Sequence, residues 1–380
     1  MNAVESFLRR LLRPFLRGPL FRAWVARLAA RLSRAYTGLL VEHLPRPLPA
    51  PPPPVPRPPL SNLLFLCDNM WERRELLPEL QRICAVEFID VGAWKKILHS
   101  GAEILALPPL LAALDELQVR SFDAIVVYLN SALLSEELLD RLRRWSCPLI
   151  GLNLDDKTTY APYGVFARGG DNYRRFAGKF DVNLTNARAM LDVYRTDGFP
   201  ALYLPTGFHH DPTRPVVPLA EYRYQLSFVG SRKPERAQFI DALGRLGIPV
   251  KLFGGGWDDA EFTNEGWRVY RESQLNLGLG YNLPGEQFTN LKNRDFECPG
   301  AGGCYVTTYD WELAELFDVG KEILCYRNLD EFVEIYASYV RRPERCREIA
   351  AAGQARALRE HTWEQRFRKV FAELGFAPKP

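Results

Sequence analysis

From residue 61 onward, short apolar runs alternate with longer amphipathic stretches, and no other feature of the chain limits its fold as tightly. The runs at 62–67, 86–90, 123–129, 148–152, 181–184 and 202–204 are separated by helical stretches such as 72–83, 102–117 and 135–145. Strands that are apolar throughout, joined by helices, predict a parallel sheet covered on both faces. The pattern then begins again with strand 224–229, helix 234–246, and strands 249–253, 275–279 and 304–307. A helix around 311–317, strand 322–326 and helices over 329–340, 343–359 and 363–374 complete it. Two such units, 61–210 and 222–380, predict an α/β protein of two doubly wound domains with a cleft between them.

The first 60 residues differ in kind. Phe21, Trp24, Val25, Leu28, Leu32, Tyr36 and Leu39 recur at three- and four-residue spacing, with Arg22, Arg27, Arg31 and Arg34 on other faces. Residues 4–40 therefore read as an amphipathic helical leader within 1–44, interrupted near Pro14 and Gly18-Pro19. Ten Arg against Glu5 and Glu42 give residues 1–60 a charge of +8, which leaves −5 for the rest of a chain whose net charge is +3. A basic helix with Trp and Phe on its apolar side suits an anionic membrane interface. Docking on protein is the alternative, and the sequence leaves both open. Residues 45–60 are a proline-rich linker, with ten prolines between 45 and 59. In polyproline II geometry it spans roughly 45 Å at about 3.1 Å per residue.

These totals exclude several classes. No run of about 18 apolar residues occurs, so no transmembrane helix is expected. There is neither the continuous apolar core nor the small-residue cleavage site of a signal peptide. A mildly acidic body lacks the clustered cations that nucleic-acid backbones demand. Seven Cys, an odd number with no C-x-x-C pair, read as reduced thiols in a cytoplasm. The expected location is cytoplasmic, peripheral at the inner face of the plasma membrane if the leader binds lipid.

Chemistry concentrates in 276–308. There a strand leads through a loop to a short helix carrying Lys292, Arg294 and Glu297, then a Gly300-Ala301-Gly302-Gly303 stop and another buried strand. That layout presents charged side chains at the carboxyl edge of a sheet, where nucleotide-like ligands bind. Lys292 and Arg294, two apart on a helix, do not face one point; one reaches phosphates while the other, as Arg294 can, pairs with Glu297. Gly230-Ser231-Arg232-Lys233-Pro234 supplies a close backbone approach, two cations and a helix start whose amides attract anions, with Arg236 beyond. Gly254-Gly255-Gly256-Trp257 is either a wall for a nucleobase or a plain turn. On the acceptor side, Asp155 and Asp156 follow a buried strand, as an acceptor contact or base, or as a helix cap. His209-His210-Asp211 lines the cleft or is a solvated loop, since zinc would need more ligands. His361 packs between the terminal helices.

Lys292-x-Arg294-x-Phe296-Glu297 with its small-residue run, the Glu-Ile-Leu-x-Tyr strand at 322–326, and His361-Thr362-Trp363 with Arg366 together resemble the C-terminal half of group 1 glycosyltransferases. Within that group they resemble the spore-maturation-protein (CgeB-like) branch, best over 224–371. The resemblance implies a GT-B fold, two Rossmann-like domains facing a cleft, the first holding an acceptor and the second a sugar nucleotide. It implies Glu297 on the ribose and Arg232 on the diphosphate, with Gly230, Ser231, Lys233, Gly255, Lys292 and Arg294 around the donor. The backbone at Gly300, Ala301 and Gly302 is then either a helix stop or faces the donor sugar. Arg232, Lys292 and Asp156 are the catalytic candidates; Asp155, Asp156, His209 and His210 are the acceptor-side ones. The wider group has a second Glu eight positions before Glu297, where this chain has Thr289. The activity implied is transfer of a sugar from a nucleotide-diphosphate sugar to a glycan, lipid or protein acceptor of the cell envelope, retaining and without metal or other cofactor. A sugar-nucleotide epimerase on the same scaffold and a non-catalytic surface or spore-coat scaffold are the alternatives.

Overall fold

The computed structural model describes residues 55–68, 70–97, 103–160, 172–214, 221–258, 260–261, 263, 265–280 and 291–378. The leader, most of the proline-rich linker and Thr289 lie outside these residues.

Apolar runs flanked by helices form strands here because both faces of each strand can be covered at once. The first half supplies β1 (Asn62–Cys67), β2 (Ala85–Asp90), β3 (Lys95–Ile97), β4 (Glu103–Leu105), β5 (Ala124–Tyr128), β6 (Leu149–Asn153), β7 (Val182–Thr185) and β8 (Ala201–Tyr203). β3 and β4 pair antiparallel on their own; the others form one parallel sheet in the order β2-β1-β5-β6-β7-β8. The second half supplies β9 (Tyr224–Val229), β10 (Lys251–Phe253), β11 (Ser273–Leu277), β12 (Tyr305–Thr308) and β13 (Leu324–Tyr326). These are again all parallel, in the order β10-β9-β11-β12-β13. In each sheet the winding reverses beside the first strand, between β1 and β5 and between β9 and β11. Such reversals open a crevice at the carboxyl ends of the strands.

Departures from the sequence reading have local causes. The helix expected over 72–83 is two pieces, Met70–Glu75 and Leu77–Gln81, with Pro78 at the start of the second. Pro is tolerated only in a first turn, so the chain restarts there. The helix expected over 102–117 begins at Leu107, its earlier residues being β4. The strand expected over 275–279 spans Ser273–Leu277, and an unforeseen helix, Gly266–Glu272, runs straight into it. Thr362 and Gln365 form a reciprocal capping box that starts the last helix, Trp363–Glu373. That helix, expected with 222–380, packs instead on the first sheet: Trp363, Phe367, Val370 and Phe371 share a core with Leu63, Phe65 and Val126. The end of the proline-rich stretch is also seated there, with Arg57 N–H donating to Gly375 O at 2.8 Å and its guanidinium over the Phe376 ring.

Two buried carboxylates tie the halves together. Glu79, fully buried on Leu77–Gln81, accepts from His209 Nδ1 at 2.8 Å, from the backbone N–H of His210 and Glu364, and from Arg82. Glu312, on Trp311–Leu316 of the second half, accepts from the Arg188 N–H at 2.9 Å and the Tyr203 hydroxyl at 3.2 Å, with Lys157 Nζ at 3.4 Å. A carboxylate buried this deeply is retained only where donors converge on it. Both therefore fix the geometry of the space between the sheets. No cysteine is disulfide-bonded. Among the described residues no helix is long and apolar enough to cross a membrane.

Candidate active site between the two sheets

A cavity of about 990 Å³ opens where the winding of the second sheet reverses. One wall is the carboxyl end of β9 (Val229, Gly230, Ser231) with Lys292, Arg294 and Glu297; the facing wall includes Arg74, Glu75, His209 and His210. The volume is at the top of the range for small-molecule sites, about 300–1,000 Å³.

The chain builds the first wall around Arg294. Its guanidinium donates to Val229 O at 2.7 Å, the last residue of β9, and to Leu279 O at 2.9 Å, just past β11, and lies over the Phe228 ring. It therefore clamps the helix Arg294–Gly300 onto the two strands that flank the reversal, and does not form the expected pair with Glu297. Gly230 leaves the space: a Cβ there would stand 2.5 Å from Arg294 Nη1 and 3.1 Å from Phe228 Cζ. Gly230→Ala is accordingly expected to cost about 1–3 kcal/mol in urea unfolding, in the range for inserting a methyl into a packed site. Equal unfolding midpoints would mean Arg294 yields without loss.

With the clamp in place, Glu297 is left facing the cavity, half-buried and beside the Tyr270 hydroxyl. Burial raises its carboxyl, while Arg214 and Arg294 oppose the rise. Glu75, from the opposite sheet's helix Met70–Glu75, confronts it and accepts the His209 N–H at 3.2 Å. Burial, and then the Glu297 charge, push Glu75 up to about 7. Lys292 precedes the helix; its N–H donates to Asp295 at 2.7 Å and its ammonium stands 3.7 Å from Asp155 across the cleft. Burial lowers its pKa.

The Arg232 region divides differently from the sequence expectation. Arg232 is exposed, outside the cavity lining, and its N–H goes to the Gly255 carbonyl at 2.9 Å. Lys233 is exposed as well, and Gly255 lies in the same outer turn. Arg236, one turn into the helix Pro234–Arg245, is the cation that faces inward. It is 5 % exposed, donates to Ser231 O at 2.9 Å and leans on Phe228. Burial, then the Arg294 charge, lower its pKa to about 10, so it stays charged at neutral pH. Trp257 donates its indole N–H to Gly230 O and braces this turn; it does not line the cavity.

The small-residue run resolves into a helix stop. Ala301, Gly302 and Gly303 N–H groups bond Glu297 O, Pro299 O and Cys298 O, and Gly302 adopts φ +82°. Those amides are committed, although Gly300 and Ala301 still line the cavity. Asp155 is exposed at the cleft. Asp156 turns back under β6 and β7, fully buried, beside Thr185 and Tyr194 hydroxyls that close no regular hydrogen bond on it, and it is outside the lining. His209 and His210 do line the cavity; burial, then Arg82, lower the His210 pKa. His361, at the junction of the last two helices, packs on the Phe296 and Phe317 rings, donating to Leu316 O and accepting from Arg366.

Sequence reasoning missed Arg73, Arg74 and Glu75, along with Trp267, Tyr270 and Arg271 of Gly266–Glu272. Only the spacing of Trp267, Tyr270 and Arg271, three and four apart, hinted that they share a helix face. Among the described residues no cluster of three His, Cys, Asp or Glu is placed to hold a metal.

Residues 232–372 match the protein family described as "Glycosyl transferase-like". No curated protein matches the chain in sequence. Among solved structures it is similar to sucrose-phosphate synthase from Thermosynechococcus elongatus, at 10% identity over 82% of this chain and 99% of that one, with a TM-score of 0.54. It is also similar to Anabaena HepE in complex with UDP and glucose, at 13% identity over 83% and 99%, with a TM-score of 0.52. The same protein with UDP-glucose gives 14% identity over 82% and 99%, and a TM-score of 0.51. The fold is GT-B: two Rossmann-like halves facing a cleft.

Proposed function

We propose that the chain transfers a sugar from a nucleotide-diphosphate donor held by its second half to an acceptor held by its first, retaining the anomeric configuration. The observation that carries this reading is the convergence of Glu297, Arg236 and Lys292, from separate elements, on one cavity at the sheet's reversal point. Glu297 accepts hydrogen bonds from the ribose hydroxyls. Arg236 and Lys292 take the diphosphate, so its charge is met by side-chain cations with no metal. In the transfer, the bond from the sugar C1 to the diphosphate oxygen breaks as a bond from C1 to the acceptor oxygen forms. The acceptor's proton passes to the departing diphosphate. The family match over the second half supports donor binding there, and the UDP-glucose bound by HepE makes UDP-sugars the first donors to try. The acceptor is proposed to be a cell-envelope glycan or its lipid or protein carrier. The basic leader is proposed to hold the enzyme at the inner membrane face.

Melting curves of the full chain with UDP, GDP, ADP and dTDP test donor binding. A nucleotide at a hundredfold excess over its Kd stabilises by about 2.7 kcal/mol, a readable rise in Tm. No shift with any of the four defeats the proposal, and conversion of donor to an isomer without acceptor replaces transfer with epimerisation.

A further inference from the structure

We propose that the acceptor is an anion, a phosphorylated or carboxylated saccharide whose charge docks on Arg73, Arg74 and Arg214. The inference rests on the donor reading above and names the chemistry of the other substrate.

The cavity's charge does not match a donor alone. Seven Arg and Lys line it against three Asp and Glu, a surplus of four positive charges. Residues 61–380 together carry −5, so this surplus is local and runs against the body's overall balance. Glu75, pushed up to about 7 by burial and then the Glu297 charge, does little to offset it. A nucleotide diphosphate brings about two negative charges, which the cations of the β9 wall, Arg236 and Lys292, already meet. Arg294 is taken up by Val229 O and Leu279 O.

What remains lies toward the first half. Arg73 and Arg74 end the helix Met70–Glu75, both exposed on the cavity rim, and among the described residues neither makes an ion pair. Arg214, between β8 and β9, is held by Asp211 at 3.5 Å and by the Trp267 ring at 5.4 Å, which fixes its guanidinium on the lining. Arg73 and Arg74, with no ion pair of their own among the described residues, and the fixed Arg214 beside them are suited to a phosphate or carboxylate arriving with a ligand. A cavity of about 990 Å³ also leaves room beside a donor for that ligand.

Calorimetric titration of the full chain, with and without saturating UDP, tests this with four probes: glucose, glucose 6-phosphate, glucuronate and inorganic phosphate. Glucose 6-phosphate or glucuronate is expected to bind at least tenfold more tightly than glucose, and which of the two wins separates phosphate from carboxylate. The Arg73→Ala/Arg74→Ala double variant is expected to bring that ratio to within twofold while its UDP affinity stays within twofold of the parent. Both positions are exposed, so the fold is not at risk. Equal binding of glucose and both anions, no binding of either anion at millimolar concentration, or an unchanged ratio in the variant overturns the proposal. Absence of a Tm shift with all four nucleotides defeats the donor reading instead, and the probes without UDP still report on the anion site.

Discussion

Arg236→Ala is expected to lower kcat/KM for the nucleotide sugar by about 10²–10³-fold, whereas Arg232→Ala costs less than about tenfold. The larger figure is the usual loss when a preorganised donor to a developing anion is removed. Arg236 qualifies because its position is already set: Ser231 O and the Phe228 face hold it, and its Nε is buried without a partner among the described residues. No reorganisation is needed when a diphosphate leaves. Arg232, four residues earlier, is exposed, and a solvated Arg must lose rotamer freedom and water to make the same contact. Circular dichroism should show both variants folded, and Arg236→Lys should recover only part of the loss because a point charge replaces a fork. Equal losses at the two positions would return the diphosphate to the outer turn.

The contrast between these two arginines shows where sequence reasoning stops. Strands and helices were legible because each rests on local periodicity, and β1 and β9 occupy the residues expected of them. The reversal points follow from alternation and general topology, so the site's place in the fold was legible as well. Which cation faces inward was not, since it depends on the turn at Gly230 and on Gly254, where an added Cβ would stand 2.7 Å from Gly230 O. Arg294 was read as a ligand or a surface partner of Glu297, and its true partners are carbonyls 65 and 15 residues away in the chain. Glu75 reaches Glu297 only because two sheets fold toward each other, an event that no spacing within 70–81 records. Asp155 and Asp156 were indistinguishable as letters, yet one faces Lys292 and the other is sealed under the sheet.

That sealed carboxyl should govern the pH dependence of stability, and Asp156→Asn is expected to remove much of it. Burial raises Asp156 from 3.8 to about 7, against the opposing pull of Thr185 and Tyr194. Between those values the folded chain keeps a proton that the unfolded chain releases. Stability from this group therefore falls as pH rises from about 4 to about 7, and above 7 the cost of a buried charge is complete. A shift of about three units corresponds to roughly 4 kcal/mol, the ceiling for the effect. Asn keeps the shape and stays neutral, so near pH 4 the variant should match the parent, and at pH 8 it should be more stable by about 2–4 kcal/mol in urea unfolding. Other raised carboxyls, Glu75 and Asp295 among them, tilt the parent's profile the same way; the difference between the two proteins isolates Asp156. Turnover should survive the change, since Asp156 lies outside the cavity lining. A variant that folds at pH 8 with unaltered stability but loses turnover would place Asp156 back in the chemistry, its proton serving the acceptor and not the core.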